Sequence, residues 1–167
     1  MPKLLFVCHC PSDNTRRLRD AALAGIDQME LENVEVRSRL PLDTGPDDIE
    51  WCDGILIGTT ENFGYMAGLI KDFFERIYYP CLESSQGLPV ALYIRAREDG
   101  RGTRTSIGKI TTGLRWKYVA EPLILRGKFD DAFDEQVAEL AMTIALSLIH
   151  ISEPTRPMKE SRVAACA

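Results

Sequence analysis

The sequence predicts an α/β domain: a three-layer sandwich around a five-stranded parallel sheet in the order 2-1-3-4-5. Three observations predict it. Short apolar runs alternate with segments of helical spacing over residues 1–146, and such alternation implies a parallel sheet with helices on both faces. Two runs, KLLFVC at Lys3–Cys8 (apolar after its first residue) and GILIG at Gly54–Gly58, read as strands buried on both faces. Right-handed crossovers leave few topologies. With five strands, the doubly wound order has its switch point between strands 1 and 3, and ligands bind there, outside the carboxyl ends of the strands.

The elements follow in order. Lys3–Cys8 is strand 1. Asn14–Met29 places Leu18, Ala22, Ile26 and Met29 at helical spacing. Val34–Ser38 alternates with charged residues and reads as a strand nearer the sheet edge. Pro46–Cys52 has room for a turn or two of helix, and Gly54–Gly58 is strand 3. Met66–Tyr79 carries Met66, Leu69, Ile70, Phe73, Phe74 and Ile77, the clearest amphipathic helix in the chain, with Pro80 as its stop. Pro89–Arg95 is strand 4. Thr103–Leu114 sets Ile107, Ile110 and Leu114 on one helical face. Lys117–Leu125 is strand 5, and Pro122 marks it as an edge strand. Asp130–Leu146 closes the domain as a helix with acidic residues at its start. The functional loops are therefore expected after Cys8, Gly58 and Arg95.

The chain has 167 residues, 45% of them hydrophobic and 27% charged, which suits one globular domain with a sizeable core. A formal net charge of −5 argues against nucleic acid as a partner. Five cysteines (Cys8, Cys10, Cys52, Cys81 and Cys166) match no disulfide framework and imply reduced thiols in a cytoplasmic protein. No signal peptide is visible. The longest uncharged apolar stretch, Leu140–Ile151, is too short for a membrane span. From Ser147 the chain reads SLIHISEPTRPMKESRVAACA. This resembles a translated sequencing-adapter stretch, so 1–146 is expected to be the domain and 147–167 a non-native or disordered tail.

The loop after strand 1, His9-Cys10-Pro11-Ser12-Asp13-Asn14-Thr15, joins a buried strand to a helix. The free N–H groups of that helix start favour an anion, and Ser12, Asn14 and Thr15 can add hydrogen bonds to phosphate oxygens. Taken alone, the same residues suit plain N-capping better. Asp13 favours capping, because a carboxylate repels a phosphate dianion; Arg16, Arg17 and Arg19 partly offset it. Cys10 and Arg16 also match the C-x5-R spacing of cysteine-dependent phosphatases. The loop has no glycine, however, and the sequence has no Asp-Pro dipeptide to supply a general acid.

The loop after strand 3 is Thr59-Thr60-Glu61-Asn62-Phe63-Gly64-Tyr65-Met66. A planar tricyclic ligand needs a flat aromatic wall and backbone groups for its polar edge. Phe63 and Tyr65 supply the wall, Gly64 permits close backbone approach, and Asn62 can meet the polar edge. The alternative is a loop whose aromatics pack beneath the following helix.

The segment TTENFGYMAGLIKDFFERIYYPC closely resembles the corresponding part of flavodoxin-like NAD(P)H-dependent FMN reductases and their quinone-reducing relatives. HCPSDNT resembles their phosphate loop, and Ala96–Gly102, read as ARxDGRG, their third loop. The resemblance implies a flavodoxin-like fold. It implies FMN phosphate at Ser12, Asn14 and Thr15, and the isoalloxazine ring at Thr60, Glu61, Asn62, Phe63, Gly64 and Tyr65. Asp99, Gly100 and Arg101 would lie near the ring's outer edge or the pyridine nucleotide. Hydride from NAD(P)H would then pass through the flavin to a quinone, free flavin, nitro compound or metal complex. The chemistry would be the cofactor's, so no catalytic side chain and no metal is expected. A homodimer or homotetramer is implied, with Tyr78, Tyr79 and Trp116 as candidate interface residues. Arg95, Arg97, Arg101 and Arg104 would suit a nucleotide phosphate. Two other classes stay open: a flavodoxin-type electron carrier, and an interaction domain that keeps the fold without flavin.

Overall fold

The computed structural model describes residues 1–29 and 34–151. Strands β1 (Lys3–Cys8), β2 (Glu35–Arg39), β3 (Gly54–Asn62), β4 (Tyr65–Met66), β5 (Pro89–Ala96), β6 (Lys117–Tyr118) and β7 (Leu123–Arg126) alternate with helices α1 (Asp13–Gln28), α2 (Pro46–Trp51), α3 (Gly68–Cys81), α4 (Arg101–Leu114) and α5 (Ala132–Ile151). β1 pairs in parallel with β2 and β3, β3 with β5, and β5 with both β6 and β7. This is the expected doubly wound sheet, with its switch point between β1 and β3.

Two apolar layers hold it together. On one face Leu5, Val7, Ile55, Ile57, Val90 and Leu92 pack against Ile49 of α2, Phe73, Phe74 and Ile77 of α3, and Ile107 of α4. On the other, Leu4, Phe6, Leu56, Ala91 and Tyr93 pack against Leu18 and Ala22 of α1 and Val137, Ala141 and Ile144 of α5. Alternate residues of one strand therefore serve opposite layers. This explains why the strand sequences are apolar without interruption.

Four details depart from the sequence expectations. β3 runs to Asn62 and turns back into β4, so the expected loop is a β-hairpin. α3 passes through Pro80 to Cys81; the proline falls in the last turn, where it costs only one intrahelical bond. The fifth strand is broken into β6 and β7, which pair with the two ends of the same β5 edge, and Pro122 lies in the break. α5 runs past Leu146 to Ile151, because Leu148 extends its apolar face and is 1% exposed. The remaining expected tail, 152–167, lies outside the described residues, as does Cys166. No helix among the described residues is long and apolar enough to cross a membrane.

Candidate functional site

Three loops meet at the carboxyl ends of β1, β3 and β5. The first opens α1. Ser12 is its N-cap with extended backbone (φ −131°, ψ 167°). Its hydroxyl accepts from the Thr15 N–H at 3.2 Å, and its own N–H donates to Thr15 Oγ1 at 2.9 Å. The capping reading of this loop is therefore satisfied, with Thr15 buried beneath it. It does not close the site. The N–H groups of Asp13 and Asn14, the first two of the helix, have no carbonyl behind them to accept, and both residues are exposed. The Asp13 carboxylate is turned onto the Arg16 guanidinium in an ion pair, which neutralises the charge that would oppose an anion.

The second loop is the β3–β4 hairpin. Its two turn residues, Phe63 and Gly64, both lie at positive φ, 54° and 71°. That is the sense of a two-residue turn matched to strand twist. Thr60 Oγ1 donates to Asn62 Oδ1 at 3.0 Å. Phe63 is fully exposed at the tip. Tyr65 is 41% exposed, with the Lys71 ammonium 5.9 Å from its ring centre. The Gly64 carbonyl oxygen occupies the space that a β-carbon on Gly102 would fill. The hairpin is thus held against the first turn of α4.

The third loop leads into α4. Gly100 is buried at φ 70°, and a β-carbon there would lie 2.7 Å from Ile124, so both the conformation and the space require glycine. Asp99 Oδ1 accepts from the Arg101 N–H at 3.0 Å. Lys71, Arg101 and Lys109 line an open groove of about 620 Å³ beside Tyr65.

Beneath the first loop lies a thiol cluster. Cys8 Sγ is 3.3 Å from the Tyr93 hydroxyl, and the Arg19 guanidinium reaches Cys10 Sγ at 3.6 Å. Hydrogen bonding from Cys8 and the charge of Arg19 pull the Cys10 thiol down to about 6, against the opposing effect of burial. The hydrogen bond to Cys10, together with burial, pushes Cys8 up. Burial also lowers His9, whose backbone N–H donates to the Gly58 carbonyl at 2.9 Å.

The structure thus gathers Ser12, Asn14 and Thr15, the Thr60–Tyr65 hairpin and Asp99–Arg101 at one end of the sheet. Several expectations need correcting. Arg16 is engaged by Asp13, and the guanidinium on Cys10 is Arg19. The C-x5-R pair therefore forms no phosphatase cradle. Arg95 donates to the Ala96 and Leu125 carbonyls and lies 5.2 Å from the Phe133 ring centre, while Arg104 pairs with Glu121 at 2.6 Å. Both are engaged within the chain, whereas Arg97 and Arg101 are exposed. Trp116 is core, its indole N–H donating to Ser85 Oγ at 2.9 Å; Tyr79 is 82% exposed. The contacts of Gly102, Arg19 and Tyr93 escaped the sequence reading. The glycine spacing of Gly100-Arg101-Gly102 was the available signal for the first.

No family model matches the chain. A flavodoxin from Aquifex aeolicus is 27% identical over 77 residues, which span 46% of this chain and 40% of that relative. Among solved structures, a flavodoxin from the domain Archaea matches with a TM-score of 0.74 and 20% identity, covering 89% of this chain and all but 1% of the other. An oxidoreductase from Corynebacterium diphtheriae matches with a TM-score of 0.68 and 15% identity, covering 90% of this chain and 98% of that one. The fold is flavodoxin-like.

Proposed function

We propose that this chain binds FMN at the three loops and passes hydride from NAD(P)H to a quinone, flavin or similar small acceptor. One observation carries the reading. A fully exposed aromatic, Phe63, stands on a hairpin pinned against α4, at the same sheet end as the open N-terminus of α1. An unpartnered aromatic face next to an anion-ready helix start suits a ligand with a planar ring and a phosphate. The partial likeness to the Aquifex flavodoxin supports the same cofactor.

The residues present fit such a group. The N–H groups of Asp13 and Asn14, with the Asn14 amide, would hold the phosphate. The Ser12 and Thr15 hydroxyls would fix the loop through their mutual bonds. Phe63 would cover the ring and exclude water from it. Backbone groups at Thr60–Asn62 and Asp99–Arg101 would line its polar edge. FMN supplies the hydride-accepting and hydride-donating centre. No side-chain acid or base is assigned. Arg97 and Arg101 would meet the phosphates of the pyridine nucleotide.

An electron-carrier reading is favoured by the flavodoxin likenesses alone. Absorbance of the purified, FMN-reconstituted chain separates the two. Flavin bands that bleach within seconds of adding NADPH support the reductase. Bands that persist support the carrier. A chain that takes up no FMN refutes both.

A further inference from the structure

We propose that Cys10 is a nucleophilic thiolate that hydroperoxide oxidises, and that Cys8 resolves the product as a Cys8–Cys10 disulfide. The two residues stand two apart at the end of β1 and belong to the same buried layer. Cys8 ends β1 and Cys10 lies two residues beyond it, and both pack into the layer beneath α1 and α5. The charged and titratable groups around the two sulfurs differ. From α1, the Arg19 guanidinium donates to Cys10 at 3.6 Å, and Arg16 adds weaker positive charge. From β5, the Tyr93 hydroxyl meets Cys8, not Cys10. The interaction between the two thiols lowers Cys10 and raises Cys8.

The asymmetry suits a nucleophile with a resolving partner. Cys10 is 8% exposed and Cys8 is 1% exposed, so only Cys10 meets a small oxidant. In the first step the Cys10 thiolate attacks one peroxide oxygen. A sulfur–oxygen bond forms, the oxygen–oxygen bond breaks, and hydroxide leaves to be protonated. In the second step Cys8 attacks the Cys10 sulfenic sulfur. The sulfur–sulfur bond forms, the sulfur–oxygen bond breaks, and the Cys8 proton leaves with the departing oxygen as water. Two electrons pass from the dithiol to hydrogen peroxide. Cys52 and Cys81 are 0% exposed and lie in the opposite core layer of the sheet.

Peptide mapping by mass spectrometry after a brief hydrogen peroxide pulse tests the proposal without flavin or turnover. Cys8 and Cys10 share the tryptic peptide 4–16, so their disulfide appears as a loss of two hydrogens from that peptide, reversed by a dithiol reductant. In Cys8→Ser, Cys10 should accumulate as a sulfenic acid trapped by dimedone. In Cys10→Ser, Cys8 should remain a thiol at the same dose. Arg19→Gln, half-exposed and conservative, should slow the oxidation severalfold at pH 7. Its rate should then need a higher pH than wild type requires, because Arg19 lowers the Cys10 thiol. Cys10 left unmodified in Cys8→Ser, a disulfide from Cys10 to any other cysteine, or equal rates in Arg19→Gln and wild type would each overturn it.

Discussion

The carbonyl oxygen of Gly64 rests against the Cα of Gly102, where any side chain at position 102 would displace it. This contact joins a hairpin tip to a helix start that is far away in sequence. It holds Phe63 in its exposed position, at a positive φ that a bulky residue seldom adopts. The geometry of the candidate site therefore depends on a glycine whose own contact is with the hairpin backbone.

Gly102→Ala should push the hairpin off α4. Overpacking of this kind costs about 1–3 kcal/mol, read as a lower denaturant midpoint with an unchanged m-value. FMN affinity, measured by quenching of flavin fluorescence, should fall by about tenfold, or roughly 1.4 kcal/mol. A variant that binds FMN as tightly as wild type would mean the hairpin does not shape the site.

How far the sequence discloses this arrangement depends on what each feature rests on. The strands are legible because Leu4–Val7 and Ile55–Ile57 must be apolar on both faces. The switch point follows from their order. The hairpin is not legible: the usual signal is Asn-Gly or Asp-Gly, and Phe63 before Gly64 conceals it. The Arg19 contact is hidden for a different reason. Spacing in the loop singles out Arg16, and only the three-dimensional turn of α1 shows Asp13 claiming Arg16 and leaving Arg19 over Cys10. The last turn of α5 is masked by the unrelated look of the residues after it, although Leu148 continues the face of Ile144 at a spacing of four.

Asn14 and Ser12 should separate binding from capping. Asn14→Ala leaves the Ser12–Thr15 box intact, so the denaturation midpoint should hardly move. FMN binding should weaken by about tenfold if the amide meets the phosphate, as expected for one bond to a charged group. Ser12→Ala removes the cap and should cost about 1 kcal/mol of stability. Unchanged FMN affinity in Asn14→Ala would limit this loop to capping.

His9 gives the fold a pH dependence whose sign follows from its environment. Burial lowers its folded pKa below the ordinary 6.5. The neutral form is favoured in the folded state, so its contribution is fully present above about pH 7.5. As pH falls through 6.5 the unfolded chain takes up the proton first, and stability declines. It levels off below the folded pKa, where both states are protonated. His9→Asn should remove this component. Urea titrations of both proteins between pH 7.5 and 5.5 should show their stability difference changing in favour of the variant as the pH drops. A difference independent of pH would refute the assignment.

The end of α5 can be tested by truncation. Leu148 is 1% exposed, and a β-carbon on Gly54 would lie 2.6 Å from it, so the first residue of β3 is the floor on which this side chain sits. A chain stopped after Leu146 loses Leu148 and exposes that floor. Removing a buried leucine costs about 2–5 kcal/mol, enough to lower the midpoint clearly. A chain stopped after Ile151 keeps the contact and should match the full chain within about 0.5 kcal/mol. Gly54→Ala in the full chain should reproduce much of the loss, because it strikes Leu148 from below. Equal stability of the two truncated chains would mean that the last turn of α5 contributes nothing to the fold. A loss on stopping at Ile151 would instead assign a stabilising role to residues 152–167.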